Sequence, residues 1–188
     1  MFELPENSIT EGGKVRFTQD LEDIYPGNEN FVKFKGRLFG QEGDLKIAKA
    51  TITYIPRNLS ARYESNTNFI TKIESVPITL THDLPSKIER GKEITYVINY
   101  FSNIDYPLEN LSIKVDSVKG LNFTSSEPVS LDNLEWKLNV LNKGQGGRIK
   151  IVGIATQDAD SNLNIKSRLG MWQNGVFIVI KEVGQEIE

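Results

Sequence analysis

QDADSN (157–162) places Asp158, Asp160 and Asn162 at alternate positions. That spacing opens a calcium loop, in which the side-chain oxygens of the first, third and fifth residues converge on one cation. A complete helix–loop–helix calcium site needs Gly at the sixth place and Glu at the twelfth, and the sequence has Leu163 and Leu169 there. Two readings stay open for Asp158, Asp160 and Asn162: a looser calcium site between strands, or a hairpin turn of solvated carboxylates. No other cofactor is expected.

His82 is the single histidine and there are no cysteines. A zinc site or a nucleophile–base pair therefore has no second member in view, and His82 reads as an exposed residue near a strand end. The acidic pairs Glu22–Asp23 and Glu186–Glu188 lie in polar stretches without the burial that tunes a catalytic carboxyl group. The serines of TSSEP (124–128) lack the glycines of a nucleophile elbow, and GQGG (144–147) lacks the Lys-Ser/Thr of a phosphate loop. The chain is expected not to be an enzyme.

Aromatic side chains offer a different chemistry, stacking on sugar rings or on a protein partner. Trp172 stands beside Asn174-Gly175, close to a hairpin tip, while its neighbour Met171 takes the inward slot. Trp172 is therefore the candidate ligand-binding residue, set against the plainer role of capping one end of the fold. Tyr96 and Tyr100 share the alternation of Ile94 and Ile98 and read as core. Asn58, Asn110 and Asn122 each begin an Asn-x-Ser/Thr sequon, which marks exposure only.

The elements that hold these residues are strands. Apolar residues alternate with polar ones at Ile78/Leu80, Ile94/Tyr96/Ile98/Tyr100, Leu111/Ile113/Val115, Leu134/Trp136/Leu138/Val140, Ile149/Ile151 and Phe177/Val179. Each run presents one face to a core. The joins carry turn formers such as SNIDYP (102–107), NKGQGG (142–147) and QNG (173–175). About eight strands over 77–185, all turn-connected, predict an all-β antiparallel sandwich of immunoglobulin-like size with Trp136 at its centre.

An internal repeat extends this reading. At an offset of 117, FVKFKG (31–36) falls on RIKIVG (148–153), and ATITYIPRNLSARYE (50–64) falls on SRLGMWQNGVFIVIK (167–181). Val32, Phe34, Ile52 and Tyr54 thereby meet Ile149, Ile151, Leu169 and Met171, and Leu59 and Tyr63 meet Val176 and Ile180. Preserved in–out alternation implies one unit used twice. The expected organisation is a sandwich over 1–75 that is short of strands and a complete one over 76–188, with a short, stiff joint at 72–76. Counterparts of the strands in 77–117 fall before Met1. A preceding stretch of a longer protein, residues 1–16, or a strand from another copy or partner would complete the first unit.

GKEITYVINYFSN (91–103), LENLSIKVD (108–116), GLNFTS (120–125) and WKLNVLNKGQ (136–145) together resemble the conserved-repeat immunoglobulin-like domains of bacterial and archaeal surface proteins. Their pattern runs G-x-x-V-T-Y, A-x-N-V-x-V-x-D, G-L-x-F-x-S and W-x-L-G-x-L-x-P-G-E. Lys143 and Gln145 depart from the last segment, while Pro26-Gly27 keeps its Pro-Gly. The resemblance implies tandem extracellular sandwiches without a shared active site, and partners that are neighbouring repeats or other surface proteins. It further implies a structural or adhesive segment that spaces or presents, with a carbohydrate- or protein-binding module using sandwich-end loops as the alternative. A net charge of −3, with Lys and Arg scattered, disfavours nucleic acid and anionic membrane. No 18-residue apolar run is present, so an extracellular chain would take its anchor from elsewhere.

Overall fold

The computed structural model describes residues 8–11, 14–33, 37–132, 134–157, 159 and 162–187. Among them there is no helix, and every strand pair is antiparallel. Eight strands from Ile78 onward form two four-stranded sheets. One is ordered β5 (Ile78–Asp83), β6 (Glu93–Ser102), β10 (Gly146–Ala155), β8 (Leu121–Glu127). The other is ordered β12 (Val176–Ile187), β11 (Leu163–Gln173), β7 (Leu111–Val115), β9 (Glu135–Lys137).

The alternation read from the sequence explains how these sheets meet. Ile78, Leu80, Tyr96, Ile98, Ile149 and Ile151 project from the first sheet, and Leu111, Ile113, Trp136, Ile165, Leu169 and Met171 from the second. All belong to one buried cluster. A period-2 strand has one apolar face, and two such faces leave water together. Each fully buried Leu or Ile contributes roughly 1.5–3 kcal/mol relative to exposure. Trp136 is 2% exposed, as expected of the centre of the core.

The Asn174-Gly175 turn joins β11 to β12 with φ of +51° and +78°. Positive φ at both positions matches the twist of a two-residue hairpin, and Gly reaches that region without a Cβ clash. The strand expected through Leu138 and Val140 stops earlier: β9 spans three residues, and Val140 is exposed. Leu134 at φ +55° breaks extended geometry just before β9, so only Trp136 of that run is fully committed to the core.

The first part of the chain is built differently from its aligned counterpart. β1 (Ser8–Glu11) pairs with β2 (Lys14–Phe17), and β3 (Leu45–Tyr54) pairs with β4 (Tyr63–Lys72), as two separate two-stranded sheets. Residues 8–11 therefore do not pair with the β3–β4 ribbon. Phe31 and Val32, aligned with the buried strand β10, lie exposed outside any strand, and 34–36 fall outside the described residues. Leu59 is not in a strand either. Its N–H bonds to the Pro56 carbonyl at 3.0 Å in a turn, and β4 starts only at Tyr63. The loop between β3 and β4 thus runs over residues 55–62, against two residues in the β11–β12 hairpin. With no second sheet against it among the described residues, the ribbon leaves its apolar residues exposed.

The turn at 40–44 and the joint at 72–76 are tied together. Gly43 N–H donates to the Ile73 carbonyl at 2.8 Å, and Ile73 N–H to the Asp44 carbonyl at 2.9 Å. Asp44 Oδ2 accepts from Lys46 Nζ at 3.0 Å and from Gln41 N–H at 3.1 Å, and these bonds hold its carboxyl below the usual range. The acidic turn at 40–44 is therefore held by local bonds. Phe39 and Val76 lean on the core cluster, and the Arg37 guanidinium lies 4.0 Å over the Tyr106 ring.

Candidate functional site

The strand alternation that turns Met171 inward turns Trp172 outward, onto the free face of the β12–β11–β7–β9 sheet. Its indole is held from several sides. The backbone N–H donates to the Asn110 carbonyl at 2.9 Å, and Nε1 donates to Glu135 Oε1 at 2.8 Å. Phe177, its cross-strand partner, packs at 5.3 Å between centroids. Lys114 and Glu135 stand directly opposite each other on β7 and β9. Lys114 Nζ lies 3.4 Å from Glu135 Oε2, 4.3 Å from the Trp172 centroid and 4.8 Å from that of Phe177. One ammonium thus serves a carboxylate and two ring faces, a cation–π arrangement in which the rings and the acid fix each other.

Burial alone would raise the Glu135 pKa. The nearby Ser112 hydroxyl, the hydrogen bond from Trp172 and the Lys114 ammonium outweigh it and hold the carboxyl below its ordinary value. Glu135 is therefore an ionised acceptor at neutral pH, suited to orienting Trp172 and unsuited to donating a proton.

Beside this cluster runs an open groove of about 1050 Å³, whose lining includes Asn110, Leu131, Lys137, Asn139, Glu135 and Trp172. One wall is anchored from the core. Trp136 Nε1 donates to the Pro128 carbonyl at 2.9 Å and lies 3.3 Å from Ser126 Oγ. Ser126 Oγ in turn accepts from Ser130 N–H at 3.1 Å, and Leu131 N–H donates to the Glu135 carbonyl at 2.7 Å. Ser126, one of the TSSEP serines, is a loop fastener here.

His82 is not an exposed strand-end residue. It faces inward from β5 at the margin of the first sheet, and Nε2 meets Ser167 Oγ of the second sheet at 2.7 Å. His82 shares the parity of Ile78 and Leu80, and that alternation turns it between the sheets. Desolvation lowers its pKa, and Nδ1 is buried without a partner among the described residues. Ser167 is fully buried, so this His–Ser pair has no route to a substrate carbonyl and does not form a nucleophilic site.

Asp158 and Asp160 lie outside the described residues, and Asn162 is an exposed bend before β11. Asn162 and Trp172 stand at opposite ends of that strand, roughly 30 Å apart at about 3.3 Å per residue. The same loop is fastened by Arg90 Nη2, which donates to the Ala159 carbonyl at 2.9 Å, and by Thr156 N–H, which donates to the Gly120 carbonyl at 2.9 Å. No group of three or more His, Asp or Glu side chains able to hold a metal occurs among the described residues. Glu22, Asp23 and Glu186 are exposed, and Glu188 is outside the described residues. Sequence reasoning singled out Trp172 but missed Glu135 and Lys114. Their pairing depends on the β7–β9 register, which no local pattern encodes.

No family model matches the chain, and no curated protein does. Among solved structures, AvmM, described as catalysing macrocyclization in alchivemycin A biosynthesis, is similar at a TM-score of 0.47 and 9% identity. The match covers 60% of this chain and 88% of AvmM.

Proposed function

We propose that the chain is a non-catalytic immunoglobulin-like module of a prokaryotic cell-surface protein that binds carbohydrate on its β12–β11–β7–β9 face. The observation that carries the reading is the groove beside Trp172. An aromatic ring held rigid by Glu135, Lys114 and Phe177 lies next to the amides of Asn110 and Asn139 and the Lys137 amine. Rings stack on the apolar faces of sugars and side-chain amides exchange hydrogen bonds with their hydroxyls, and a ring already held in place loses little entropy on binding. The site lies on a sheet face and its flanking turns rather than on end loops alone.

The spatial strand order supports the immunoglobulin-like reading. Taking β5, β6, β10 and β8 as A, B, E and D, and β7, β11 and β12 as C, F and G, reproduces the two sheets of that fold. One departure exists: β9 flanks β7 but follows β8 in the chain. A second reading, a spacer or presenting segment, draws on this same architecture and needs no ligand.

A glycan array probed with the intact chain tests the proposal. Binding that disappears in Trp172→Ala and persists, weakened, in Trp172→Phe, which keeps a stacking ring but loses the bond to Glu135, is the expected result, with wild-type circular dichroism showing that both variants fold. An array without binding refutes carbohydrate recognition and leaves the spacer reading.

A further inference from the structure

The β3–β4 ribbon is the least satisfied part of the fold. Its strands are ten residues each, both outer edges are unpaired among the described residues, and both faces are open. Ile47, Phe69 and Ile70 are 68%, 71% and 60% exposed. The face carrying Ala48, Ala50, Ile52 and Tyr54 meets Phe69 and Tyr63 across the pair, with the two tyrosine rings stacked at 5.9 Å. A lone two-stranded ribbon is marginal in water, whereas three or more strands with an apolar face hold together.

The two edges are not equivalent. The β3 edge carries Lys46 and Lys49 within its length, and lysine along an edge opposes strand pairing. On β4 the stretch from Ser65 to Thr71 is uncharged, and the flanking charges are opposite, Glu64 at one end and Lys72 at the other. Both are exposed, and neither is in an ion pair among the described residues. A two-fold axis normal to the ribbon, just outside the β4 edge and level with Asn68, sets β4 antiparallel to its own copy. Asn68 then meets Asn68, Asn66 meets Ile70, and Glu64 meets Lys72 at both ends. The register keeps every side chain on its own face, because opposed positions have the same parity.

We propose that two copies of this chain associate through their β4 edges in this register, making one four-stranded antiparallel sheet, β3-β4-β4-β3. Main-chain hydrogen bonds along the joined edge supply the attraction, and the two symmetric Glu64–Lys72 pairs fix the register. The interface is isologous and closes on itself, so it yields dimers and not fibres.

Sedimentation equilibrium of the full chain across a wide concentration range tests this, with charge reversal as the probe. A concentration-dependent dimer is expected. Glu64→Lys and Lys72→Glu, each placing like charges at both ends, are expected to weaken it at least tenfold. The combined variant Glu64→Lys/Lys72→Glu restores opposite charges and is expected to recover the wild-type dissociation constant. Both residues lie on the exposed ribbon, so unchanged far-UV circular dichroism in each variant, with recovery in the combined variant, shows that the ribbon is still formed. A strict monomer at every concentration overturns the proposal. A dimer insensitive to either reversal, or a combined variant that fails to recover, overturns it as well.

Discussion

Truncation of Trp136 bears on both the core and the groove. The ring joins the two sheets through the buried cluster, and its N–H fastens the 126–130 loop that leads into the groove wall. A buried Trp removes roughly 200 Å² from water, and at about 25 cal/mol per Å² that corresponds to roughly 5 kcal/mol. Alanine retains a small part of this, the cavity adds a cost, and the measured range for such truncations is about 3–5 kcal/mol. Trp136→Phe keeps most of the apolar contact and loses the donor. The Pro128 carbonyl still accepts from Ser126 Oγ at 2.8 Å, so the expected loss is only about 1–2 kcal/mol. Urea unfolding followed by far-UV circular dichroism separates the two, and Trp172, the other tryptophan, remains as a fluorescent reporter. For a folded unit of about 110 residues, the alanine variant should melt roughly 10–20 °C lower. An alanine variant within about 1 kcal/mol of wild type, at unchanged m-value, would refute a core centred on Trp136.

Further outcomes follow from other parts of the molecule. Burial lowers the His82 pKa from 6.5, so below that pH the unfolded chain takes up the proton first. Stability from this group is complete above pH 6.5 and declines as pH falls toward the folded-state value. Urea midpoints measured against pH should show this slope in wild type and lack it in His82→Gln; parallel curves would remove His82 from the account. Gly120 has φ +89°, and a Cβ there would meet Ala159 Cα at 2.5 Å, so Gly120→Ala should cost several kcal/mol, more than the roughly 1 kcal/mol of a positive-φ strain alone. Equal unfolding midpoints for wild type and Gly120→Ala would contradict that contact. Lys114→Met keeps bulk but removes the charge shared by Glu135, Trp172 and Phe177. Its carboxyl titration, followed by NMR at Glu135, should move upward, and an unmoved titration would rule out the ammonium as a cause.

Strand identity was legible because burial follows period 2: Ile94, Tyr96 and Ile98, or Leu111, Ile113 and Val115, declare an inner face before any partner is known. The Asn174-Gly175 turn was equally plain, since few residues tolerate two consecutive positive φ angles. The same alternation in Ile52 and Tyr54 was read as a buried face, yet both remain exposed. A pattern states which side is apolar, and only a second sheet makes that side interior. The candidate site shows the same limit. Trp172 could be placed outward from Met171, but Glu135 lies 37 positions away and reaches it only through the β7–β9 and β7–β11 registers.

The sequence by itself determined an all-β chain, the turns that punctuate it, Trp136 as core and Trp172 as an outward aromatic. All of these are consequences of local backbone geometry and of the two-residue period of a strand. The tertiary structure alone decided that β8 and β9 join opposite sheets, that His82 meets Ser167 between them, and that β3–β4 has no covering layer among the described residues. Those outcomes depend on hydrogen-bond registers and sheet contacts between residues far apart in the chain, and non-local pairing leaves no trace in a local pattern.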